Sequence, residues 1–82
     1  MSESLKPLYG RILTHRETEI FVRVMEGDTL VETAKRLGIS RQTAENHMQH
    51  IKGKLGARTT AHAVAIAMRA IYRAQMTAGV SY

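Results

Sequence analysis

Residues 34–56 read AKRLGISRQTAENHMQHIKGKLG, and they contain the end of one predicted helix, the link GIS and the whole of a second helix. Gly38 opens the link, and glycine can take the left-handed backbone conformation that a sharp change of direction requires. Ser40 is a favourable N-cap for the second helix, and Gly56 is a typical residue just beyond a helix end. Two helices joined by so short a turn form a helix-turn-helix.

Two N-terminal helix signatures indicate where the helices before the link begin. Thr14 with Glu17, and Thr29 with Glu32, have the spacing of capping boxes. The first helix is expected to end at Gly27 and the second at the glycine of the link. Apolar residues at helical spacing define the inward faces of these helices: Ile20, Phe21, Val24, Met25, Ala34 and Leu37.

A last helix is predicted after the threonine pair, with Thr59 or Thr60 as its cap and an end near Gln75. Because four helices and no strand pattern are predicted, the fold class is all-α. The expected division is an N-terminal arm at 1–12, a helix-turn-helix domain at 13–75 and a C-terminal tail at 76–82.

Length and composition narrow the classes of function. A chain of 82 residues buries only about 60% of its unfolded surface, which leaves little room for a catalytic pocket. The sequence has no cysteine, so disulfides and thiolate metal sites are excluded. It also has no apolar run approaching the roughly 18 residues of a membrane span. We expect a soluble cytoplasmic protein without a membrane partner.

The charge is distributed unevenly along the chain. Residues 1–32 carry six acidic and four basic residues, a balance of −2, whereas residues 33–82 carry eight basic residues and one acid, a balance of +7. A local positive field attracts nucleic acid. A solvated basic surface has the same composition, so charge alone leaves both interpretations open.

A helical wheel separates two faces of the helix at 41–55. Its apolar stripe consists of Ala44, Met48, Ile51 and Leu55. The opposite face consists of Gln42, Asn46, Gln49 and Gly53, with Thr43 and His50 beside them. The flanks place Arg41 and Lys52 on one side, and Glu45, His47 and Lys54 on or near the other.

The amide-rich face is typical of a helix that reads DNA. Glutamate and lysine are better helix formers and would suffice for solvation. Asparagine and glutamine instead form paired hydrogen bonds with adenine in the major groove, while flanking cations reach phosphates. Gly53 lowers helix stability by about 1 kcal/mol relative to alanine in a helix interior. Its presence indicates either that α3 approaches a DNA backbone closely at this position or that the helix simply tolerates glycine there.

Residues 13–68 resemble the LuxR/GerE-type DNA-binding domain. Five signatures occur in order at the usual spacing: LTHRE, EG, A-x-R-L-G-I-S, T-x-x-N-H-M and KLGAR. The resemblance implies that the third helix enters the major groove and that the fourth commonly forms a homodimer interface. It places base reading at Glu45, Asn46 and Gln49. It places Gln42, Thr43, His47 and Lys54 at or near phosphates, and with the neighbouring groups the expected DNA-backbone contacts are Arg41, Gln42, Thr43, His47, His50, Lys52, Lys54 and Arg58.

Several positions depart from the family pattern. Ala44 stands where valine is usual, and Thr33 where isoleucine is usual. The side chains in the core beneath the turn are therefore smaller, which predicts lower stability. Gly53 replaces a residue that is often basic. Glu45 is acidic in a field of cations, and it either accepts from a cytosine amino group or pairs with Arg41 along the helix.

The fourth helix is apolar nearly all round, apart from a strip through His62, Arg69 and Arg73. One face can pack on its own domain, and the other needs cover. A symmetric homodimer provides that cover, and an N-terminal arm wrapped over the helix is the alternative. The expected dimer interface consists of Ala63, Ala67, Ala70, Ile71 and Ala74.

Enzymatic and metal-binding functions find little support in the sequence. His47 and His50 are three residues apart, but no cysteine or nearby carboxylate pair completes a metal site. There is no glycine-rich phosphate loop and no supported nucleophile. We therefore expect no enzyme activity, no metal and no cofactor.

The sequence as a whole predicts a stand-alone transcriptional regulator that binds double-stranded DNA as a homodimer on an inverted repeat. Because only a dozen residues precede the domain, regulation is expected from abundance or from a partner protein. The alternative is an adapter or anti-activator that uses the same fold to bind RNA polymerase, as a sigma factor does, or another regulator.

Overall fold

The computed structural model describes residues 12–79, which form four helices. They are α1 (His15–Met25), α2 (Leu30–Leu37), α3 (Arg41–Leu55) and α4 (Thr60–Gly79). No strand occurs in this part of the chain, and the predicted all-α fold is confirmed. The N-terminal arm, apart from Ile12, and residues 80–82 of the predicted tail lie outside the described residues.

The helix starts follow the predicted caps. Both capping boxes are formed: Thr14 Oγ1 accepts from the Glu17 N–H at 3.1 Å while Glu17 Oε1 accepts from the Thr14 N–H at 2.9 Å. Thr29 and Glu32 repeat this exchange at 3.1 and 2.8 Å. Hydrogen bonds from Thr29 lower the pKa of the Glu32 carboxyl. Such caps satisfy backbone N–H groups that lack a partner within the helix, and each contributes about 1 kcal/mol.

The last two helices begin at a serine and a threonine. Ser40 Oγ accepts from the Thr43 N–H at 3.0 Å, as the predicted N-cap of α3. Of the two threonines proposed for α4, Thr59 is the cap, since its Oγ1 accepts from the His62 N–H at 3.0 Å. α4 continues to Gly79, so the predicted end near Gln75 is four residues short. Alanine and methionine favour helix, and no proline interrupts this segment.

The link between α2 and α3 depends on Gly38. This residue has φ +68° and ψ 32°, the left-handed conformation that costs other L-residues about 1–2 kcal/mol. The Ile39 N–H then donates to the Ala34 carbonyl at 3.0 Å and satisfies the end of α2. Ile39 packs against the core, so the turn is held by apolar contact as well as by backbone geometry.

The core lies where α1, α3 and α4 meet. Its fully buried members are Leu13, Ile20, Phe21, Met48, Ile51, Ala63 and Ala67, each no more than 3% exposed. α3 packs against all three other helices, which fixes its rotation about its own axis. The buried Thr33 hydroxyl donates to the Thr29 carbonyl at 2.9 Å, so this polar group has a hydrogen-bond partner in the core beneath the turn.

Candidate nucleic-acid interface

α3 is anchored on one side and open on the other. Ala44, Met48 and Ile51 are buried at 2% exposure or less, and Leu55 packs against the core at the end of the helix. The opposite side chains, Gln42, Asn46 and Gln49, are exposed as the wheel predicted, and together they form the amide face. Because the packing of three helices fixes α3, the amide face is presented by a rigid element.

Two side-chain pairs lie along the first two turns of α3. Arg41 Nε donates to Glu45 Oε2 at 2.9 Å, and Gln42 Nε2 donates to Asn46 Oδ1 at 3.0 Å. The prediction that Arg41 and Glu45 occupy opposite flanks is wrong, because four residues advance a helix by little more than one turn. The alternative interpretation, in which these two residues pair along the helix, describes the structure.

The residues predicted to contact the DNA backbone differ in exposure. Thr43 is half-buried, and its Oγ1 accepts from Ser40 Oγ at 2.9 Å. His47 is half-buried, and its buried Nδ1 has no hydrogen-bond partner within residues 12–79. Arg41, His50 and Arg58 are exposed, and Lys52 is half-buried. The predicted backbone-contacting side chains therefore differ in how accessible they are to a phosphate.

Lys54 makes a long-range ion pair that the sequence did not reveal. Its Nζ donates to Glu17 Oε1 at 2.7 Å, although 37 residues separate the two positions. The Glu17 side chain is only 5% exposed, and its carboxylate also completes the first capping box with Thr14. One carboxylate thus joins the start of α1 to the end of α3. Lys54 has this structural role in addition to its predicted phosphate contact.

The Glu17 pKa reflects competing effects. Burial favours the neutral carboxyl and raises the pKa, but hydrogen bonds from Lys54 and Thr14, together with the charge of Lys54, favour the carboxylate. The net result is a pKa below the ordinary value. Since the folded chain binds this proton less readily than the unfolded chain, ionised Glu17 stabilises the fold.

Replacing Glu17 with glutamine is expected to lower the free energy of unfolding at pH 7 by about 1–2 kcal/mol, because a charge-assisted hydrogen bond to Lys54 is lost. In the wild-type chain, ionised Glu17 contributes fully to the free energy of unfolding above its unfolded-state pKa of about 4.3. This contribution disappears as the pH falls through the lower pKa that Glu17 has in the folded chain. Denaturant unfolding at several pH values measures both effects.

The control is Glu32→Gln, which changes the other capping-box glutamate, a residue without a long-range lysine partner. We expect it to have the smaller effect at pH 7. Equal losses for the two variants would contradict a specific role for the Lys54 pair.

Gly53 faces open space on α3. A Cβ atom at this position would meet nothing within 4 Å, so no packing among residues 12–79 requires glycine there. Gly53→Ala is expected to raise the free energy of unfolding by as much as about 1 kcal/mol, as measured by thermal or denaturant unfolding. Gly56→Ala, at φ +69°, should instead destabilise the chain. Destabilisation by Gly53→Ala would contradict the open position.

α4 buries two of the five residues predicted for the dimer interface. Ala63 and Ala67 are 0% exposed within their own domain, so the prediction that they contact a second copy is wrong. The exposed large apolar residues of α4 are Met68 at 51%, Tyr72 at 62% and Met76 at 49%. They recur every four residues and form a continuous band, which we call the α4 stripe. Of the other predicted interface residues, Ala70 and Ala74 are exposed and Ile71 is half-buried.

Residues 12–79 also bear on metal binding and membrane insertion. No group of three or more histidine, cysteine or acidic side chains in this range is arranged to hold a metal ion. None of the four helices is both long enough and apolar enough to cross a membrane.

Comparisons with known proteins agree with the geometry of α2 and α3. The chain is 41% identical over 56 residues to the transcriptional regulatory protein MctR of Rhizobium johnstonii, and 42% identical over 57 residues to the transcriptional regulatory protein TdiR of Thauera aromatica. These matches cover 68% and 70% of this chain but only 26% and 25% of the relatives. The chain therefore spans about a quarter of their length.

A shorter relative is covered more completely. The spore germination protein GerE of Bacillus subtilis strain 168 is 36% identical over 58 residues, which is 71% of this chain and 78% of that protein. No solved structure matches the chain. A family model described as bacterial regulatory proteins, luxR family, matches residues 11–67. The chain belongs to the luxR family of bacterial regulatory proteins and contains that family's helix-turn-helix DNA-binding domain.

Proposed function

We propose that this chain regulates transcription as a homodimer that places α3 of each copy in the major groove of an inverted repeat. The observation that carries the proposal is the amide face, which is exposed on a helix whose other side is buried. A major groove about 12 Å wide admits one α-helix. Because three neighbouring helices already fix α3, it loses little conformational entropy when it enters the groove.

Base reading is assigned to Glu45, Asn46 and Gln49. Asparagine and glutamine donate to purine N7 and accept from the adenine amino group. Glu45 Oε2 already accepts from Arg41, which leaves Oε1 to accept from a cytosine or adenine amino group. The acidic side chain is thereby neutralised by its neighbour before it meets the DNA, which reduces its repulsion from the phosphates.

Phosphate contacts supply affinity and fix the position of α3 on the duplex. We assign them to the residues predicted to contact the DNA backbone: Arg41, Gln42, Thr43, His47, His50, Lys52, Lys54 and Arg58. Five of these residues are exposed, and all eight lie in the part of the chain that carries a balance of +7.

The homodimer is assigned to the α4 stripe. Three large side chains at half exposure on one helix side form an apolar surface that a second copy of the same stripe covers symmetrically. Ala70, Ile71 and Ala74, which were also predicted for the dimer, lie about 100–160° around α4 from Tyr72 and are not part of the interface assigned here. A two-fold dimer requires half-sites about 34–36 Å apart, or a multiple of that spacing.

Selection from a random DNA library at two salt concentrations tests the proposal. We expect an enriched inverted repeat and affinity that falls steeply as salt rises, since bound phosphates release counterions. A library with no enriched sequence would contradict DNA reading and favour the adapter interpretation. Retention of RNA polymerase by the purified chain would then identify the partner.

The oligomer has a separate test. Tyr72→Glu places a charge in the α4 stripe and is expected to convert the dimer to a monomer in sedimentation equilibrium, with helix content by circular dichroism unchanged. Gln75→Glu adds the same charge at an exposed position beside the stripe and should disturb the dimer less. A wild-type chain that stays monomeric at high micromolar concentration would contradict the dimer.

A further inference from the structure

The hydrogen bond between Gln42 and Asn46 changes what these two side chains offer to DNA. An isolated asparagine presents one acceptor oxygen and one donor NH₂ group, which together match adenine. Here Asn46 Oδ1 already accepts from Gln42 Nε2 at 3.0 Å. The oxygen with both lone pairs available is Gln42 Oε1, and the NH₂ group with both hydrogens available is Asn46 Nδ2.

These two groups belong to different residues about one helical turn apart, and the hydrogen bond between Gln42 Nε2 and Asn46 Oδ1 joins the two amides. Successive base pairs are about 3.4 Å apart, so an acceptor on one amide and a donor on the other can face neighbouring base pairs rather than a single adenine. An acceptor matches the amino group of adenine or cytosine, and a donor matches purine N7 or thymine O4. The pair therefore has a different readout from that of either amide alone.

We propose that Gln42 and Asn46 read DNA as one hydrogen-bonded unit, in which Gln42 determines specificity instead of contacting a phosphate. This inference rests on the proposed function, since it concerns how α3 reads bases. Gln49 is the natural comparison, because its side chain is exposed on the same face and has no hydrogen-bond partner within residues 12–79. It keeps both amide groups for an independent contact.

The pair itself is tested in the free protein, without DNA. In ¹⁵N spectra, Asn46→Ala is expected to shift the side-chain NH₂ resonances of Gln42, because their acceptor is removed. Gln49→Ala removes the neighbouring amide of the same face and should leave those resonances in place. If Asn46→Ala leaves the side-chain resonances of Gln42 unshifted, the two residues do not form a hydrogen-bonded unit.

The DNA readout is tested by a double-mutant cycle on the site that wild-type protein selects. Gln42→Ala and Asn46→Ala are each expected to weaken binding about 10-fold, in the range of a good base contact. The double variant should lose about 10- to 30-fold instead of the roughly 100-fold product. For Gln42→Ala combined with Gln49→Ala, the two losses of affinity should multiply. Repeated selection should show that Gln42→Ala and Asn46→Ala alter the preferred bases at the same or adjacent positions.

Two outcomes overturn the inference while the proposed function stands. One is a Gln42/Asn46 cycle whose losses multiply, which shows independent contacts. The other is a Gln42→Ala variant that binds every sequence more weakly by the same factor, which identifies a phosphate contact. If wild-type protein selects no sequence at all, the proposed function fails and this inference fails with it.

Discussion

Replacing Asn46 and Gln49 together with alanine is expected to weaken binding to the selected DNA site by at least about 30-fold. A good paired contact between an amide and a base discriminates by about 1–3 kcal/mol, so two such contacts account for about 2–6 kcal/mol. Binding to unrelated DNA should change little, because it depends on phosphate contacts. The variant should therefore lose the difference between specific and non-specific affinity, measured by titrating both duplexes at one salt concentration.

The fold should survive this double change. Both side chains are exposed, and alanine is the better helix former, so the free energy of unfolding should be unchanged or slightly higher. Gln75→Ala is a matched control, since Gln75 is an exposed amide on α4 far along the chain from the amide face. A double variant that keeps wild-type preference would contradict base reading by α3.

Ile51→Ala is expected to lower the free energy of unfolding by about 2–5 kcal/mol. Ile51 is 0% exposed and lies on the inward side of α3, where its removal leaves a cavity among α1, α3 and α4. Domains of this size are stable by about 5–15 kcal/mol, so the loss is a large fraction of the total. Urea unfolding followed by circular dichroism measures it directly.

Val31→Ala provides the matched control on the surface. Val31 is 40% exposed on α2, and its truncation should change stability by no more than about 0.5 kcal/mol. Saturating specific DNA should restore part of the Ile51→Ala loss, because a ligand that binds only the folded chain stabilises it by mass action. Equal effects of the two truncations would contradict the buried position of Ile51.

The helix starts, and the buried and amide faces of α3, were predictable because their signals are local. A capping threonine acts three residues away, as Thr14 does on Glu17, and a left-handed glycine such as Gly38 acts on the turn it occupies. The inward stripe of α3 follows from the periodicity of its apolar residues. Each of these features depends on neighbours within about one helical turn.

Contacts that depend on tertiary packing were not predictable in the same way. The Lys54–Glu17 pair joins residues 37 positions apart, and no local pattern links them. On α4, apolar residues surround the helix, so periodicity does not show which side packs on the domain. The structure buries Ala63 and Ala67 and exposes Met68, because small side chains permit close packing of α4 on the core.

The bridge through Glu17 has a consequence for local unfolding. The first turn of a helix ordinarily opens at little cost, because its initial N–H groups lack intrahelical partners. Here, opening the first turn of α1 displaces a carboxylate that Thr14 and Lys54 both hold, so it also removes the ion pair from the last turn of α3. Fraying of α1 and of α3 is thereby coupled, and both turns should exchange their amide hydrogens as one cooperative unit.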